Sequence, residues 1–433
     1  MYKYLENIWN KTTARTRLTR TEKLFFWILC FSELFYRSIF YLINNFKRAL
    51  ACKRSSFFYV ISVGNLSVGG TGKSVFVQFL VHVLDNKTGN KNCAVILRGY
   101  KSKLEKTGNS FLVSDGNTIF YDVTQAGDEA LMLAHNVHVP IVIGPNRAKS
   151  CEILEAWYES NGAQLSPKRT GRVAVRPDGG PEVRVEGAER HYLILDDAYQ
   201  HHTLKKNLEI LLLDARHPFE NNHCLPAGRL REKDYSRADI IILTHADTID
   251  SQALERIKKE KFTLFDQTKI FSGKHVVQGI YYHNDEKSSA WFETSRCSSS
   301  PRALLKSSLA LRSVLSESKD ASRMGASSTK ALVFAGIGSF SNFVYTVEES
   351  GFIISQTIEY QDHYSYTKQD LEKIIDILQE HKLTIAITTS KDWCKLEPIL
   401  KQYDLQIPIY VLRVGFEFLS PREYDDFMKV FIQ

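Results

Sequence analysis

The chain has 433 residues, enough for two domains with cores of their own, and its 43% hydrophobic and 24% charged residues are typical of a globular protein. Its seven cysteines are scattered and never form a C-x-x-C pair. This spacing argues against both a disulfide framework and a zinc site, and it indicates a reducing, cytosolic setting.

Positive charge is concentrated in the first sixty residues, which contain eleven lysine or arginine residues and three glutamates. These basic residues flank an apolar, aromatic-rich segment, 23–43. No small-residue cleavage site follows it, which argues against a signal peptide. Glu33 and Arg37 near its middle argue against a membrane-spanning helix. The pattern favours a helix in the plane of an anionic membrane surface, and the alternative is a helix packed on the main domain.

Short apolar runs alternate with helix-like segments from 57 to about 245, which predicts repeated β–α units around a parallel sheet. The basic stretch 166–189 interrupts this series and is interpreted as an insertion that contains a hairpin. Several of the runs are apolar without alternation, as expected for strands buried on both faces. The predicted strands are 57–63, 93–97, 140–144, 192–196, 208–214 and 238–244.

Residues 331–433 predict a second, smaller α/β set that follows a serine-rich linker or loop at 295–328. Helices are predicted at 342–351 and 370–382. The predicted strands of this set are 331–338, 352–360, 384–390 and 407–414.

The stretch ISVGNLSVGGTGKSVFV (61–77) runs from an apolar strand through glycines to Lys73 and Ser74, which begin an apolar helix. Such a turn presents backbone N–H groups and a helix N-terminus to a polyphosphate, with the lysine on the β/γ oxygens and the serine on Mg²⁺. Ser67 stands where the usual pattern has its first glycine, and a glycine-rich turn with an incidental lysine is the alternative. The candidate cofactor-binding residues are Ser67, Val68, Gly69, Gly70, Thr71, Gly72, Lys73 and Ser74.

A pair of acids, Asp196 and Asp197, ends the predicted strand 192–196. Carboxylates at the carboxyl end of a strand beside the phosphate loop are placed to hold Mg²⁺ or its waters. A capping role is the alternative.

Eight stretches in order along the chain resemble the tetraacyldisaccharide 4'-kinase (lipid A 4'-kinase) family of Gram-negative bacteria, a family of P-loop kinases. Each stretch alone is weakly specific, but the eight in register are highly specific. They are GNLSVGGTGKS (64–74), LRGY (97–100), GDEALMLA (127–134), LDDAYQHHTLKKNLEILLLDA (195–215), LPAGRLRE (225–232), FAGIGSFSNF (334–343), DHYSYT (362–367) and TTSKDWCKL (388–396).

The resemblance implies an enzyme that transfers the γ-phosphate of ATP, with Mg²⁺, to the 4'-hydroxyl of an acylated disaccharide 1-phosphate lipid. It implies a place at the cytoplasmic face of the bacterial inner membrane, an anionic membrane surface as partner, and no nucleic acid. The implied organisation is an N-terminal membrane-associated helix (1–50), a P-loop kinase domain (51–270, with an insertion at about 163–190), a linker (271–330) and a smaller α/β domain (331–433).

The resemblance also implies a catalytic pair, Asp128 as the base and His363 as its partner, acting with Lys73. From the residues alone, an aspartate at a helix start is usually a cap and a histidine in a loop usually has no catalytic role. Glu232 is a further candidate for holding the metal. Three second-rank candidates, for which surface ion pairs are the alternative, are Arg98, Arg147 and Asp392.

Two other classes of protein compete with the kinase. A membrane-associated P-loop GTPase or ATPase switch would use THAD (244–247) or TSKD (389–392) to read guanine, but both depart from T-K-x-D. A nucleic-acid-binding ATPase with a basic arm is disfavoured, because the segment 23–43 is too apolar for a solvated arm.

Overall fold

The computed structural model describes residues 2–14, 16–49, 52–88, 92–161, 191–282 and 330–432. The chain forms two compact units: unit 1 is Met1–Leu243 with Glu255–Ile270, and unit 2 is Thr244–Leu254 with Phe271–Gln433. The insertion at 163–190 and the serine-rich segment at 295–328 lie outside the described residues.

Unit 1 contains a mainly parallel sheet with the strand order β7-β6-β1-β5-β2-β4-β3 in the part of the chain that is described. Strand β1 pairs in parallel with β5 and β6, and β3 runs antiparallel to β4. The strands are β1 (Phe58–Gly64), β2 (Cys93–Leu97), β3 (Phe111–Asp115), β4 (Pro140–Ile143), β5 (His191–Asp196), β6 (Leu208–Asp214) and β7 (Ile240–Thr244). The helices are α1 (Tyr2–Thr13), α2 (Arg20–Ala49), α3 (Lys73–Thr88), α4 (Val123–Ala126), α5 (Asp128–Asn136), α6 (Arg147–Ser160) and α7 (Ser251–Lys261).

The central strand β1 is buried along nearly its whole length, as its unbroken apolar sequence predicts. Its neighbour β5 is in register with it, so that Val63 lies beside Asp196. Because parallel strands end at the same edge of a sheet, the loop after β1 and the acids after β5 lie at one edge.

The N-terminal helices pack on unit 1 through a few side chains. The Trp9 indole of α1 donates to the carbonyl of Pro226 at 3.0 Å. In α2, Glu33 is buried and accepts the backbone N–H of Cys224 at 2.9 Å. Most of α2 is exposed, since only 11% of its most apolar stretch is buried. By length and composition alone, the stretch Arg20–Phe46 could cross a membrane, with a mean hydropathy of 1.4. The exposed apolar side chains, named here the apolar face of α2, are Leu24, Trp27, Ile28, Phe31, Leu34, Phe35, Ile39, Tyr41, Leu42, Ile43 and Phe46.

Unit 2 contains a five-stranded sheet, in its described part, with the order β10-β9-β11-β12-β8. Strand β8 is antiparallel to β12 and the other pairs are parallel. Side chains of β9 alternate between two apolar clusters, Leu332 and Phe334 on one face and Ala331 and Val333 on the other. The elements are β8 (Ile270–Tyr282), β9 (Lys330–Ala335), α8 (Phe340–Glu349), β10 (Ile353–Glu359), α9 (Lys368–Glu380), β11 (Ile385–Thr389), α10 (Ser390–Tyr403), β12 (Ile409–Phe418) and α11 (Pro421–Ile432).

All ten predicted strands are confirmed, with ends that coincide or are shifted by a few residues, and two further strands in the described part of the chain were not predicted. Strand β3 is short and only half-buried. Strand β8 is broken by glycines and polar residues, so its sequence lacks an apolar run. Residues 271–282, assigned to the linker from the sequence, belong to β8, because pairing with β12 stabilises a strand that its own sequence does not indicate.

Candidate active site

The loop between β1 and α3 has the open backbone of a phosphate-binding turn. Gly69 and Gly72 have φ values of 143° and 76°, which residues with a Cβ rarely adopt. A Cβ built on Gly69 or Gly70 would meet no atom of the described chain within 4 Å. Nothing described therefore obstructs the approach of a ligand to this backbone, and α3 begins directly after it at Lys73.

The segment 225–232 holds this loop in place. The N–H of Val68 donates to the carbonyl of Arg229 at 2.8 Å, and the N–H of Arg231 donates to the carbonyl of Leu66 at 2.7 Å. These bonds run in both directions between the two segments, so each segment satisfies the other's backbone groups.

Asp197 is clamped between two cations. Its backbone turns into the left-handed region, with φ of 48°. Its Oδ1 then lies 3.5 Å from Lys73 Nζ and 3.1 Å from Arg231 Nη1. Burial alone would raise the pKa of Asp197, but Lys73 and Arg231 lower it to about 2. The carboxylate is therefore ionised at neutral pH.

Asp196, the last residue of β5, has the opposite environment. Its carboxyl is 4% exposed, and its Oδ1 has no hydrogen-bond partner among the described residues. Burial first, and then the charge of Glu129, raise the pKa of Asp196 to about 7, although Lys73 opposes the shift. An unused buried carboxylate oxygen is a ligand that Mg²⁺ accepts.

Hydroxyl groups complete a set of hard oxygen ligands at this edge. Thr71 Oγ1 is buried and has no partner in the described part of the chain. Ser74 lies half-buried in the first turn of α3. Together with Asp196 and Asp197, these groups fit a nucleotide phosphate and its Mg²⁺.

Asp128 does not cap its helix. Gly127, with φ of 92°, occupies the N-cap position of α5, and Asp128 is the first helical residue. Its side chain is 7% exposed, and Oδ1 accepts the N–H of Glu129 at 3.0 Å. The next residue, Glu129, is one of the charges that raise the pKa of Asp196.

His363 lies in unit 2 in a left-handed conformation, with φ of 63°. Its N–H donates to the carbonyl of Gly336 at 3.2 Å, and its Nε2 is 3.4 Å from Lys391 Nζ. Asp392 is fully buried and accepts the N–H of the same Gly336 at 3.0 Å and the Thr389 hydroxyl at 2.8 Å. Asp392 therefore anchors the turn that positions the His363 backbone.

The other candidates have structural partners of their own. Both carboxylate oxygens of Glu232 accept from Arg237 Nη2, at 3.0 and 2.9 Å, and burial raises the pKa of Glu232. Arg98 is exposed and pairs with Glu105 at 2.6 Å, as the alternative of a surface ion pair expects.

Arg147 is fully buried and makes no surface ion pair. It donates to the carbonyls of Gly144 at 2.6 Å and Asp196 at 3.0 Å. Burial lowers its pKa to about 10, so the guanidinium keeps its charge at neutral pH. Arg147 thus holds the end of β5 from the protein interior.

Arg231 was not singled out in the sequence, although it contacts Asp197 and its backbone contacts the phosphate loop. The sequence does contain a signal for Arg231, because this residue lies in the stretch LPAGRLRE (225–232), directly before the candidate Glu232. Only the fold shows that it lies beside an acid 34 residues earlier in the chain.

Three comparisons with known proteins find relatives of this chain. The model of the tetraacyldisaccharide-1-P 4'-kinase family matches residues 25–433. Curated proteins named tetraacyldisaccharide 4'-kinase are similar to the chain. The one from Halothermothrix orenii is 28% identical over 360 residues, 82% of this chain and 79% of the relative, and the one from Chlorobium chlorochromatii is 30% identical over 396 residues, 88% and 86%.

A solved structure shares the fold. The crystal structure of LpxK from Aquifex aeolicus in complex with ATP has a TM-score of 0.58 to this protein and 23% sequence identity, covering 92% of this chain and 96% of its own. With the family match over residues 25–433, the chain belongs to the tetraacyldisaccharide-1-P 4'-kinase family.

Proposed function

We propose that this protein transfers the γ-phosphate of ATP to the 4'-hydroxyl of a tetraacyldisaccharide 1-phosphate, a step of lipid A biosynthesis. The observation that carries the proposal is the open phosphate loop with Lys73 beside Asp197, in a chain matched by the kinase family over residues 25–433. The acceptor is an acylated disaccharide phosphate, and hence a lipid.

The nucleotide is held by backbone and charge. N–H groups around Gly69 and Gly70 would bind the phosphates, and Lys73, which pairs with Asp197 in this structure, would supply positive charge to the β/γ oxygens. Bound Mg²⁺ supplies charge neutralisation for the transferred phosphoryl group. Ser74, Asp196 and Asp197 would hold the metal, and Glu232 would contribute only after leaving Arg237.

The acceptor hydroxyl is deprotonated by Asp128, and His363 orients or tunes that base. The support is that Asp128 is nearly buried and is not the N-cap residue of α5, although its Oδ1 accepts the N–H of Glu129. Transfer to an alcohol benefits from a positioned base within hydrogen-bond reach.

The enzyme works at the cytoplasmic face of the bacterial inner membrane, with α2 in the plane of the membrane surface. The apolar face of α2 supports this, because it is uncovered while Glu33 on another side of the helix is buried. Basic residues around the helix favour anionic lipid over nucleic acid as the partner.

The GTPase or ATPase switch is not supported by the comparisons. Asp392, the acid of TSKD (389–392), is fully buried and accepts hydrogen bonds from the Gly336 N–H and the Thr389 hydroxyl. Its carboxylate is therefore not available to bind a guanine base.

The direct test incubates the purified full chain with γ-labelled ATP, Mg²⁺ and a tetraacyldisaccharide 1-phosphate in detergent micelles. We expect label in the lipid, and none when the acceptor already carries a 4'-phosphate. Release of labelled phosphate with no labelled lipid would overturn the proposal and favour an ATPase.

A further inference from the structure

Three side chains that the kinase site does not use converge where α2 meets the segment before LPAGRLRE. Cys30 and Glu33 are three residues apart on α2, and therefore on one face of the helix. His223 comes from the loop against which they pack. Glu33 Oε2 lies 2.7 Å from His223 Nδ1, and Cys30 Sγ lies 3.9 Å from the same nitrogen. The three donor atoms all lie within 4.8 Å of one another.

The carboxylate is already oriented by its surroundings. Glu33 Oε1 accepts the Cys224 N–H at 2.9 Å and lies 3.9 Å from Lys233 Nζ, which leaves Oε2 directed at the histidine. Phe26 packs edge-on against the His223 ring, with ring centroids 5.3 Å apart. A hydrogen-bonded carboxylate and a packed ring are the kind of support that metal ligands have.

We propose that Cys30, Glu33 and His223 bind one borderline-soft divalent cation, for which Zn²⁺ is the best match. A thiolate, an imidazole and a carboxylate form a ligand set that suits Zn²⁺ and does not suit Mg²⁺. A water takes the fourth position, because Cys30 and His223 are only partly buried. The site has no C-x-x-C signature in the sequence, because its thiol and imidazole are 193 residues apart.

The present distances need only a small adjustment. Tetrahedral ligands with bonds of about 2.0 Å lie about 3.3 Å apart, so the histidine must move away from Glu33 by about 0.6 Å. The His223 side chain is 36% exposed, which leaves the ring room to move. Glu33 keeps its bond to the Cys224 N–H during this change.

A bound cation would tie α2 to the segment that holds the phosphate loop. Residues 229–231 follow His223 closely and make the backbone bonds to Leu66 and Val68. The cation would thus join the helix that carries the apolar face to the support of the phosphate loop, with no part in phosphoryl transfer.

The test uses untagged full-length protein, stripped of metal with a chelator and titrated with Co²⁺ as an optical probe for Zn²⁺. We expect one Co²⁺ per chain with a sulfur-to-cobalt charge-transfer band, displaced by Zn²⁺. Cys30→Ser should abolish the band and weaken Zn²⁺ binding at least about tenfold, the low end of losses for groups that support a metal.

Two further variants separate a metal site from a plain Glu33–His223 hydrogen bond. His223→Asn keeps an N–H donor near Glu33 but removes the imidazole ligand, so Zn²⁺ affinity should fall while the melting temperature of the metal-free protein is kept. Cys52→Ser changes an exposed thiol outside the cluster and should keep the band.

Absence of saturable Co²⁺ binding, a band that survives Cys30→Ser, or unchanged Zn²⁺ affinity in His223→Asn would each overturn the site. Since the readouts are optical and thermodynamic, they do not depend on the proposed kinase activity.

Discussion

Two adjacent carboxyl groups, Asp196 and Asp197, have pKa values of about 7 and about 2 because their side chains enter different surroundings. Asp196 keeps the strand conformation and its carboxyl is buried, whereas the left-handed turn at Asp197 directs its carboxylate to Lys73 and Arg231. One acid is therefore a fixed anion, and the other binds a proton or a cation near neutral pH.

Lys73→Ala should lower lipid phosphorylation by about 10²- to 10³-fold, the loss typical of removing one preorganised donor to a developing charge. The far-UV circular dichroism should be unchanged, because Lys73 is at a helix start. Lys149→Ala on α6, an exposed lysine, is the matched control and should keep full activity. Near-normal turnover of folded Lys73→Ala would contradict the role of the phosphate loop.

His201 should make the protein sensitive to acid. Burial first, and then Arg147 and Lys206, lower its pKa to about 3. Between pH 6.5 and 3 the folded protein then binds fewer protons than the unfolded chain, so the free energy of unfolding falls as the pH falls. His201→Gln should lose less stability than the wild type between pH 7 and 4 in urea unfolding.

The matched control for this change is His217→Gln, since His217 is exposed. Its stability should follow the wild-type pH dependence. If the free energy of unfolding fell equally with pH in His201→Gln and in the wild type, His201 would not be the group whose protonation destabilises the fold.

At the scale of elements, the apolar helix α2 accommodates a charged residue, Glu33, by burying it in a hydrogen bond. Glu33 was interpreted as an interruption of the apolar run, but it is 5% exposed and bonds to the Cys224 N–H. One side of the helix therefore makes a polar contact with the Cys224 backbone, and aromatic side chains are exposed to solvent on its other sides. The prediction of a helix packed on the main domain holds only for the first of these sides.

Replacing Trp27, Phe31 and Phe35 together with serine should reduce binding to anionic vesicles, measured by co-sedimentation, and leave the melting temperature unchanged. These side chains are 60–73% exposed, so little packing is lost. High salt should weaken wild-type binding only in part, because the apolar contribution is not screened.

The control for the triple variant is Leu264→Ser with Tyr345→Ser, which removes exposed apolar groups outside α2. This control should bind vesicles like the wild type. Equal binding by the triple variant would show that α2 is not the anchor. A deletion of residues 1–45 is a weaker test, because it also removes the Trp9 and Glu33 contacts.

At the scale of the whole molecule, the proposed catalytic pair is divided between the units, with Asp128 in unit 1 and His363 in unit 2. Whether the two residues act together is therefore a question for kinetics.

A double-mutant cycle tests this pair. Asp128→Asn and His363→Ala should each lower kcat by about 10²- to 10⁴-fold, the range for general acid–base groups, with little change in the KM for ATP. Since the two act as a unit, the double variant should be scarcely worse than the poorer single variant. Additive losses in kcat/KM, or wild-type turnover by His363→Ala, would contradict the pair.

The sequence by itself determined the local features. Apolar runs such as 208–214 and 238–244 predicted buried strands, because a strand covered on both faces needs apolar residues throughout. The phosphate loop was predicted because its glycines and Lys73 are contiguous. Strands β3 and β8 were not predicted, because their stability comes from pairing with β4 and β12 and not from their own composition.

Only the tertiary structure decided which distant groups meet. It buried Asp196 and gave Asp197 two cations, placed Arg231 at the phosphate loop, and brought Cys30 and Glu33 to His223. Each of these depends on chain segments separated by 34 to 193 residues, or on burial. Local periodicity carries no information on such contacts, because they are set by the order and direction in which strands and helices pack.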